Sequence, residues 1–101
     1  MTMCYGPVVV EREYVWTDEG LAEARRRKVA LEEVDDALHA PPGLRFERHI
    51  GGILLIVTGM ATSGRVIAAV CESVERTTTY RILRVRPLAG PELDEWRRRL
   101  G

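Results

Sequence analysis

The hydrophobic positions of the chain repeat with two different periods, which divide it into predicted strands and predicted helices. Alternation is typical of a half-buried strand. It appears in GLRFERHI, where Leu44, Phe46 and Ile50 lie on one side and Arg45, Glu47 and His49 on the other. Short apolar or β-branched runs between turn residues predict further strands. They are PVVVEREYVW from Pro7, ILLIVTG from Ile53, RVIAAVCESV from Arg65 and TTYRILRVRP from Thr78.

Two segments between the first and second strands favour helices. TDEGLAEARRRK begins with Thr17 as a capping residue, and its acids lie in the first turn and its bases in the last, which complements the helix dipole. In LEEVDDALHAPP, Leu31, Val34 and Leu38 form one apolar stripe, and the two prolines end the helix. His39 falls in the last turn of this helix, where a capping role is expected.

A third helix, GPELDEWRRRLG, closes the chain, with Leu93, Trp96 and Leu100 on one face. The order is therefore β-α-α-β-β-β-β-α. It predicts one α+β domain over residues 1–101, with a four- to five-stranded, mainly antiparallel sheet and the helices on one face. The first strand is expected at an edge, where its exposed pattern would allow pairing with a second copy.

Composition narrows the classes of function. The 101 residues carry no net charge, which counts against a general polyanion binder. Residues 1–40 hold nine acidic and five basic residues, a net of −4, and residues 41–101 hold six and ten, a net of +4. The basic half would attract an acidic partner or a phosphate backbone, although charges scatter on any protein surface.

The cysteines and the apolar runs indicate a cytoplasmic protein. Cys4 and Cys71 do not make a disulfide framework, and Cys71 lies in an apolar run typical of a core. The N-terminus does not resemble a signal peptide, and the apolar runs are too short to span a bilayer. We therefore expect a reducing cytoplasm and no membrane partner.

The last predicted strand concentrates arginines. Strand geometry places Tyr80, Ile82, Arg84 and Arg86 on one side and Arg81, Leu83 and Val85 on the other. Arg84 and Arg86 would stand ~7 Å apart, a spacing suited to adjacent phosphates. If the last two strands form a hairpin, Arg65 lies near Arg86 and cationic groups converge, exposed and unpaired, at one end of the sheet. A solvated strand face is the simpler interpretation, and the pattern alone favours it.

Catalytic signatures are otherwise sparse. The sequence has no Cys–His metal spacing, no phosphate-binding glycine loop and no nucleophile-elbow serine, so we expect neither a metal nor a cofactor. Glu47 and His49 are the candidates for a general base and acid beside the arginines. A polar strand face explains both residues equally well.

Several segments, taken together and in order, resemble the BrnT-type toxins of bacteria, relatives of the RelE-like ribonuclease fold. Trp16 stands before the first helix, and VALEEV follows from Val29. An arginine opens the apolar strand in GRVIAAV, and RILRVR from Arg81 to Arg86 is similar to the family's most telling segment. Glu92 and Trp96 keep the family's spacing on the last helix.

The resemblance implies a cytoplasmic endoribonuclease of a type II toxin–antitoxin pair. RNA would be its substrate, and a cognate antitoxin would be its inhibitor. Arg65, Arg81 and Arg86 would hold phosphates and stabilise charge during attack by the ribose 2′-hydroxyl, with no metal or protein nucleophile. Arg48, Tyr80 and Arg84 complete the predicted RNA-binding set.

The chain departs from the family pattern at its first helix. Glu19 and Gly20 occupy the place of a usual lysine, and Arg27–Lys28–Val29 replaces a usual Lys-His-Gly stretch. These departures keep a second hypothesis open, a catalytically degenerate binding protein on the same scaffold that pairs with an acidic protein partner. A domain with no ligand is the third alternative.

Overall fold

The computed structural model of the protein describes residues 12–100. The elements in chain order are β1 Glu13–Trp16, α1 Asp18–Arg26, α2 Leu31–Leu38, a 3₁₀ turn Pro42–Leu44, β2 Arg45–Ile50, β3 Leu54–Met60, β4 Val66–Ser73, β5 Thr79–Pro87 and α3 Gly90–Leu100. The predicted α+β class and order of elements are confirmed. The beginning of the predicted first strand, from Pro7 to residue 11, lies outside the described residues, as does Cys4.

The five strands form one mixed sheet in the order β1-β5-β4-β3-β2. β2 pairs with β3, β3 with β4 and β4 with β5, each pair antiparallel. β1 lies parallel to β5, with Tyr14 opposite Tyr80. Within the described residues β1 is therefore an edge strand, as predicted. The β2–β3 turn requires positive φ at Gly51 and Gly52, 62° and 76°, which glycine adopts without a steric penalty.

One face of the sheet, here called the two-helix face, packs against α1 and α2 and carries the main core. Val57, Ala69 and Val85 lie in one row across it, and Val34 and Leu38 of α2 belong to the same buried cluster. The predicted core position of Cys71 is confirmed, since it is fully buried there.

Two glycines let the helices approach the sheet closely. A Cβ at Gly59 of β3 would lie 2.2 Å from the Ala37 carbonyl oxygen of α2, and one at Gly20 of α1 would lie 2.3 Å from the Ile82 carbonyl oxygen of β5. Each contact is shorter than van der Waals packing allows, so any larger residue would push helix and sheet apart. These contacts fix how closely α1 packs on β5 and α2 on β3.

The third helix packs on the opposite face, here called the α3 face, so the prediction of helices on one face is wrong. The Trp96 ring of α3 meets the Phe46 ring of β2 edge to face at 6.1 Å. Phe46 and Ile50 share this face and Glu47 points to the other, as the alternation predicts. An apolar stripe on a helix can pack against either side of a sheet, so the stripe of α3 carries no information about which face the helix covers.

Local helix signals are largely confirmed. Thr17 caps α1, because its hydroxyl accepts from the Gly20 N–H at 2.9 Å and donates to the Ile82 carbonyl at 2.7 Å. The stripe of α2 is shorter than predicted: Val34 and Leu38 are buried, whereas Leu31 is 42% exposed. Leu31 begins the helix, one turn before the residues that reach the sheet.

Candidate functional site

The arginines of β5 lie on one face because the strand contains a β-bulge. Cys71 pairs with Ile82 and Val70 with Arg84, so β5 carries one extra residue, Leu83, between them. An extra residue reverses the alternation of every side chain beyond it. The predicted separation of Arg81 from Arg84 and Arg86 is therefore wrong.

Burial follows the same pattern. Ile82 and Val85 are buried on the two-helix face, while Arg81, Arg84 and Arg86 are exposed on the α3 face. The prediction that Ile82 shares a side with Arg84 is wrong for the same reason.

Arg65 does not join this group. It lies just before β4, and its guanidinium donates to the Lys28 carbonyl at 3.2 Å and to the Glu33 carboxylate at 2.9 Å. Both partners belong to the helical segment on the two-helix side, whereas Arg86 lies opposite Ala68 on the α3 face. The predicted convergence of Arg65 with Arg86 is wrong, because the two side chains point to opposite sides of the sheet.

The arginines of the α3 face are also paired, contrary to the expectation of free cations. Arg81 donates to Glu72 at 2.8 Å, and Arg86 holds both oxygens of Glu92, at 2.5 and 2.6 Å. The Arg86 hydrogen bond lowers the pKa of Glu92, so this carboxylate stays ionised. Within the described residues Arg84 has only a long contact with a carboxylate, 3.9 Å to Glu19.

Arg48 is the exception on this face. It lies on β2 opposite Ile56, in a row that continues through Val70 to Arg84. Among residues 12–100 it makes no ion pair, in contrast to the paired arginines of β5. Its side chain is therefore available to an anion that approaches this face.

A second group of charges meets on the two-helix face, beyond the region that α1 and α2 cover. The Arg12 guanidinium donates to Glu47 Oε2 at 2.6 Å, and Arg45 Nε lies 3.2 Å from the same oxygen. Arg45 also donates to the carbonyls of Leu38 and Ala40, at 3.3 and 2.8 Å, on either side of His39. One carboxylate thus holds two guanidinium groups beside the end of α2.

Aromatic rings extend this group toward β1. The Arg12 guanidinium lies 5.7 Å from the centre of the Tyr80 ring, a cation–π distance. Tyr14 is 6.0 Å from Tyr80 and 5.7 Å, edge to face, from His39, measured between ring centres. Together the residues Arg12, Tyr14, His39, Arg45, Glu47 and Tyr80 are here called the polar cluster.

The hydrogen bond of His39 determines which ring nitrogen is available. Nδ1 lies 3.0 Å from the Asp35 carbonyl oxygen, which only accepts, so Nδ1 carries the proton. In the neutral ring Nε2 then keeps its lone pair and can accept a proton. The imidazole is 57% exposed, so a substrate can reach it. His49, the histidine predicted to act, is exposed on β2 opposite Leu55 and is not part of the polar cluster.

The electrostatics of the polar cluster favour an anionic ligand. The two guanidinium groups share the one carboxylate of the polar cluster, so its six residues carry one excess positive charge, with the exposed Asp35 carboxylate 3.3 Å from His39 Nδ1 at the margin. The hydrogen bond that Arg12 donates to Glu47 raises the pKa of Arg12, which remains a cation. Burial raises the pKa of Tyr14, so its phenol stays protonated and able to donate.

Two residues of the polar cluster, Glu47 and Tyr80, are among the site residues predicted from the sequence, and the other four are not. One signal was present: Arg45 and Glu47 alternate on one side of β2, so they had to share a face. His39 was assigned a capping role, and it does occupy the C-cap of α2. Nothing local indicated that Arg12 would cross the sheet to Glu47, because that contact joins residues 35 positions apart.

Two classes of feature are not seen in the described part of the chain. Within residues 12–100 no three His, Cys, Asp or Glu side chains gather closely enough to hold a metal ion. No helix of that same part has the length and apolar character needed to cross a bilayer.

Comparison with models of protein families gave no match, and comparison with curated proteins gave no significant match.

Proposed function

We propose that the chain is a toxin-like endoribonuclease that cleaves RNA without a metal, and that the polar cluster is its active site. The observation that carries the proposal is the convergence of two guanidinium groups, a protonated phenol and an oriented imidazole. RNA supplies its own nucleophile, the 2′-hydroxyl, so the protein needs only a base and groups that stabilise the developing negative charge.

Each residue then has a distinct task. His39 Nε2 accepts the 2′-hydroxyl proton while Asp35 orients the ring. The 2′-oxygen attacks phosphorus, the bond to the 5′-oxygen breaks, and a 2′,3′-cyclic phosphate forms as water protonates the leaving oxygen. Arg12 and Arg45 bind the phosphate oxygens, and Glu47 positions both guanidinium groups. A positioned general base contributes roughly 10²–10⁴-fold, and a preorganised charge donor contributes about 10²–10³-fold in rate.

The test uses the two histidines as a matched pair. Purified wild type should cut a labelled single-stranded RNA in EDTA and leave cyclic phosphate ends, and it should not cut the same sequence with 2′-O-methyl ribose. His39→Gln should lower the rate about 10²-fold or more, whereas His49→Gln should leave it unchanged. Both residues are exposed, so folding is preserved, which a thermal melt checks. No cleavage by wild type, or equal loss in the two variants, would refute the proposal.

The α3 face favours a second candidate, a binding protein on this scaffold that pairs with an acidic partner, as an antitoxin-like segment would be. One row across this face runs Ile50, Leu54, Glu72, Arg81 and Val15. Its two ends, Ile50 and Val15, are 41% and 38% exposed. Exposed apolar side chains beside arginines suit an amphipathic acidic segment.

The two candidates predict different results. The binding candidate expects no RNA cleavage and a salt-sensitive complex with the product of an adjoining reading frame. Changing Arg81 and Arg84 together to Gln should weaken that complex at least tenfold, while His39→Gln should not affect it. A complex that survives the double change at wild-type strength would exclude this surface.

A further inference from the structure

A cleft separates α3 from the sheet. Its volume is 540 Å³, within the ~300–1,000 Å³ typical of small-ligand sites. Its apolar lining consists of Phe46, Ile56, Ala68, Leu88, Pro91 and Trp96. The space is therefore large enough and apolar enough to hold a ring system.

The cleft is present because α3 contacts the sheet at only a few of its residues. Trp96 is the one buried residue of the helix. The Arg86–Glu92 ion pair holds the first turn, and the Arg99 guanidinium lies over the Phe46 ring at 5.8 Å near the last. Between these three contacts the helix does not close on the sheet.

Trp96 supplies an independent observation. Its side chain lines the cleft and is only 4% exposed, and its Nε1–H has no acceptor among the described residues. Buried N–H groups almost always have a partner, because an unpaired one carries the full cost of its lost hydration. Nε1 is itself fully buried, so the indole forms an apolar wall of the cleft and leaves the recognition of a polar group to other lining residues.

The charged residues around the cleft determine whether an anionic or a cationic ligand is favoured. Its three carboxylates are already occupied: Glu92 by Arg86, Glu95 by Arg98, and Glu47 by Arg12 and Arg45 on the other face. Arg48 lines the cleft with no ion pair within residues 12–100, and Arg99 has only a 4.0 Å contact with Glu95. The uncompensated charge is positive, so an anion is favoured.

We propose that this cleft binds a small carboxylate with an apolar, ring-sized body. The body fills the space between Trp96 and the sheet, and the carboxylate pairs with Arg48. The site does not depend on the proposed ribonuclease function, because the polar cluster lies on the opposite face of the sheet and shares with the cleft only Glu47, whose carboxylate pairs with Arg12 and Arg45 on that opposite face.

Three matched probes share one body and differ in charge: 2-naphthoate, neutral 2-naphthamide and cationic 2-naphthylmethylamine. Each is titrated into the ¹⁵N-labelled full chain while the two tryptophan indole N–H resonances are followed by NMR. The Trp96 signal should shift saturably with 2-naphthoate and at least tenfold more weakly with the amide, while Trp16 serves as the internal reference. Higher salt should weaken 2-naphthoate selectively.

Two variants and one control complete the test. Arg48→Gln should bring the affinities for 2-naphthoate and 2-naphthamide within about twofold of each other, since only the charge contact is lost. Arg97→Gln removes another α3-side arginine that is exposed and does not line the cleft, and it should leave the tenfold preference intact. Trp96→Phe shortens the apolar wall of the cleft and should weaken 2-naphthoate and 2-naphthamide by the same factor, followed on the backbone N–H resonances of Phe46 and Ile56 because the Trp96 indole signal is lost. If Trp96→Phe does not fold, the Arg48→Gln result decides.

The proposal is overturned if no probe gives a saturable Trp96 shift, if all three bind equally, or if Arg48→Gln leaves the preference for the anion. A short RNA that shifts the Trp96 signal where 2-naphthoate does not would reassign the cleft to nucleic acid. These results are independent of the RNA cleavage assay.

Discussion

Arg12 and Glu47 join two strands that never pair, through a 2.6 Å hydrogen bond between the Arg12 guanidinium and Glu47 Oε2. Arg12 immediately precedes β1 and Glu47 lies on β2, and these strands form opposite edges of the five-stranded sheet. The Arg12 side chain therefore crosses the uncovered end of the two-helix face. This contact brings Arg12 and the aromatic residues near β1 together with Glu47 and Arg45 on β2.

Glu47→Gln should destabilise the fold, because two guanidinium groups lose the carboxylate that they share. Hydrogen bonds to charged groups contribute about 1.5–3 kcal/mol, so the free energy of unfolding should fall by roughly that amount in urea titrations. Glu75→Gln is the control, since Glu75 is exposed and has one contact, with Arg76 at 4.0 Å. Equal stability of the two variants would show that Glu47 contributes nothing to the fold.

Gly59→Ala should destabilise the protein strongly, since its Cβ would lie 2.2 Å from the Ala37 carbonyl oxygen. Overpacking costs about 1–3 kcal/mol, and a contact with backbone belongs at the upper end. Gly43→Ala is the matched change at a position with open space and a φ outside the left-handed region. It should leave stability unchanged or raise it by up to about 1 kcal/mol. Similar melting curves for both variants would contradict the close packing of α2.

Cys71 should be unreactive until the protein unfolds. It is fully buried, and burial raises the pKa of its thiol to about 12. The thiolate is the reactive form, so at pH 8 its fraction is about 10⁻⁴. In a Cys4→Ser background, a thiol reagent should label Cys71 in denaturant and not in native buffer. Rapid labelling of the native protein would place Cys71 outside a closed core.

Stability should fall in acid partly through Glu33. Its carboxylate accepts from the Ala30 N–H, the Ser63 hydroxyl and the Arg65 guanidinium. These bonds, the Ala30 N–H first, hold the pKa of Glu33 below its ordinary value. A depressed folded pKa stabilises the protein fully above the unfolded value, about 4.3, and this contribution is lost as pH falls through the folded pKa.

The measurement is the free energy of unfolding of wild type and Glu33→Gln across the acid range. Wild type should be the more stable near pH 6, and the difference should vanish once Glu33 is protonated in the folded state. Glu32→Gln is the control from the same helical turn, since Glu32 is exposed. A difference that stays constant with pH would mean that Glu33 acts through its shape alone.

The sequence predicted the elements well because the signals for them are local. The cap at Thr17, the prolines after α2 and the alternation in β2 each act within a few residues, and each element formed close to where these signals placed it, although Leu44 lies in the 3₁₀ turn and not on β2. The α+β class follows from the order of those elements. The buried position of Cys71 likewise follows from the apolar run in which it lies.

Only the tertiary structure decided which side chains meet. The extra residue of the bulge, Leu83, places Arg81 on the same face as Arg84 and Arg86. The alternation of apolar and polar residues does not reveal where in a strand such a bulge occurs. Placing α3 on the other face gave Arg86 a carboxylate at Glu92, while Arg65 found Glu33. The polar cluster joins residues far apart in the chain, so it exists only once the sheet and the helices have assembled. Local sequence determines the elements because their hydrogen bonds are short in range, whereas a site depends on the register and face of each strand.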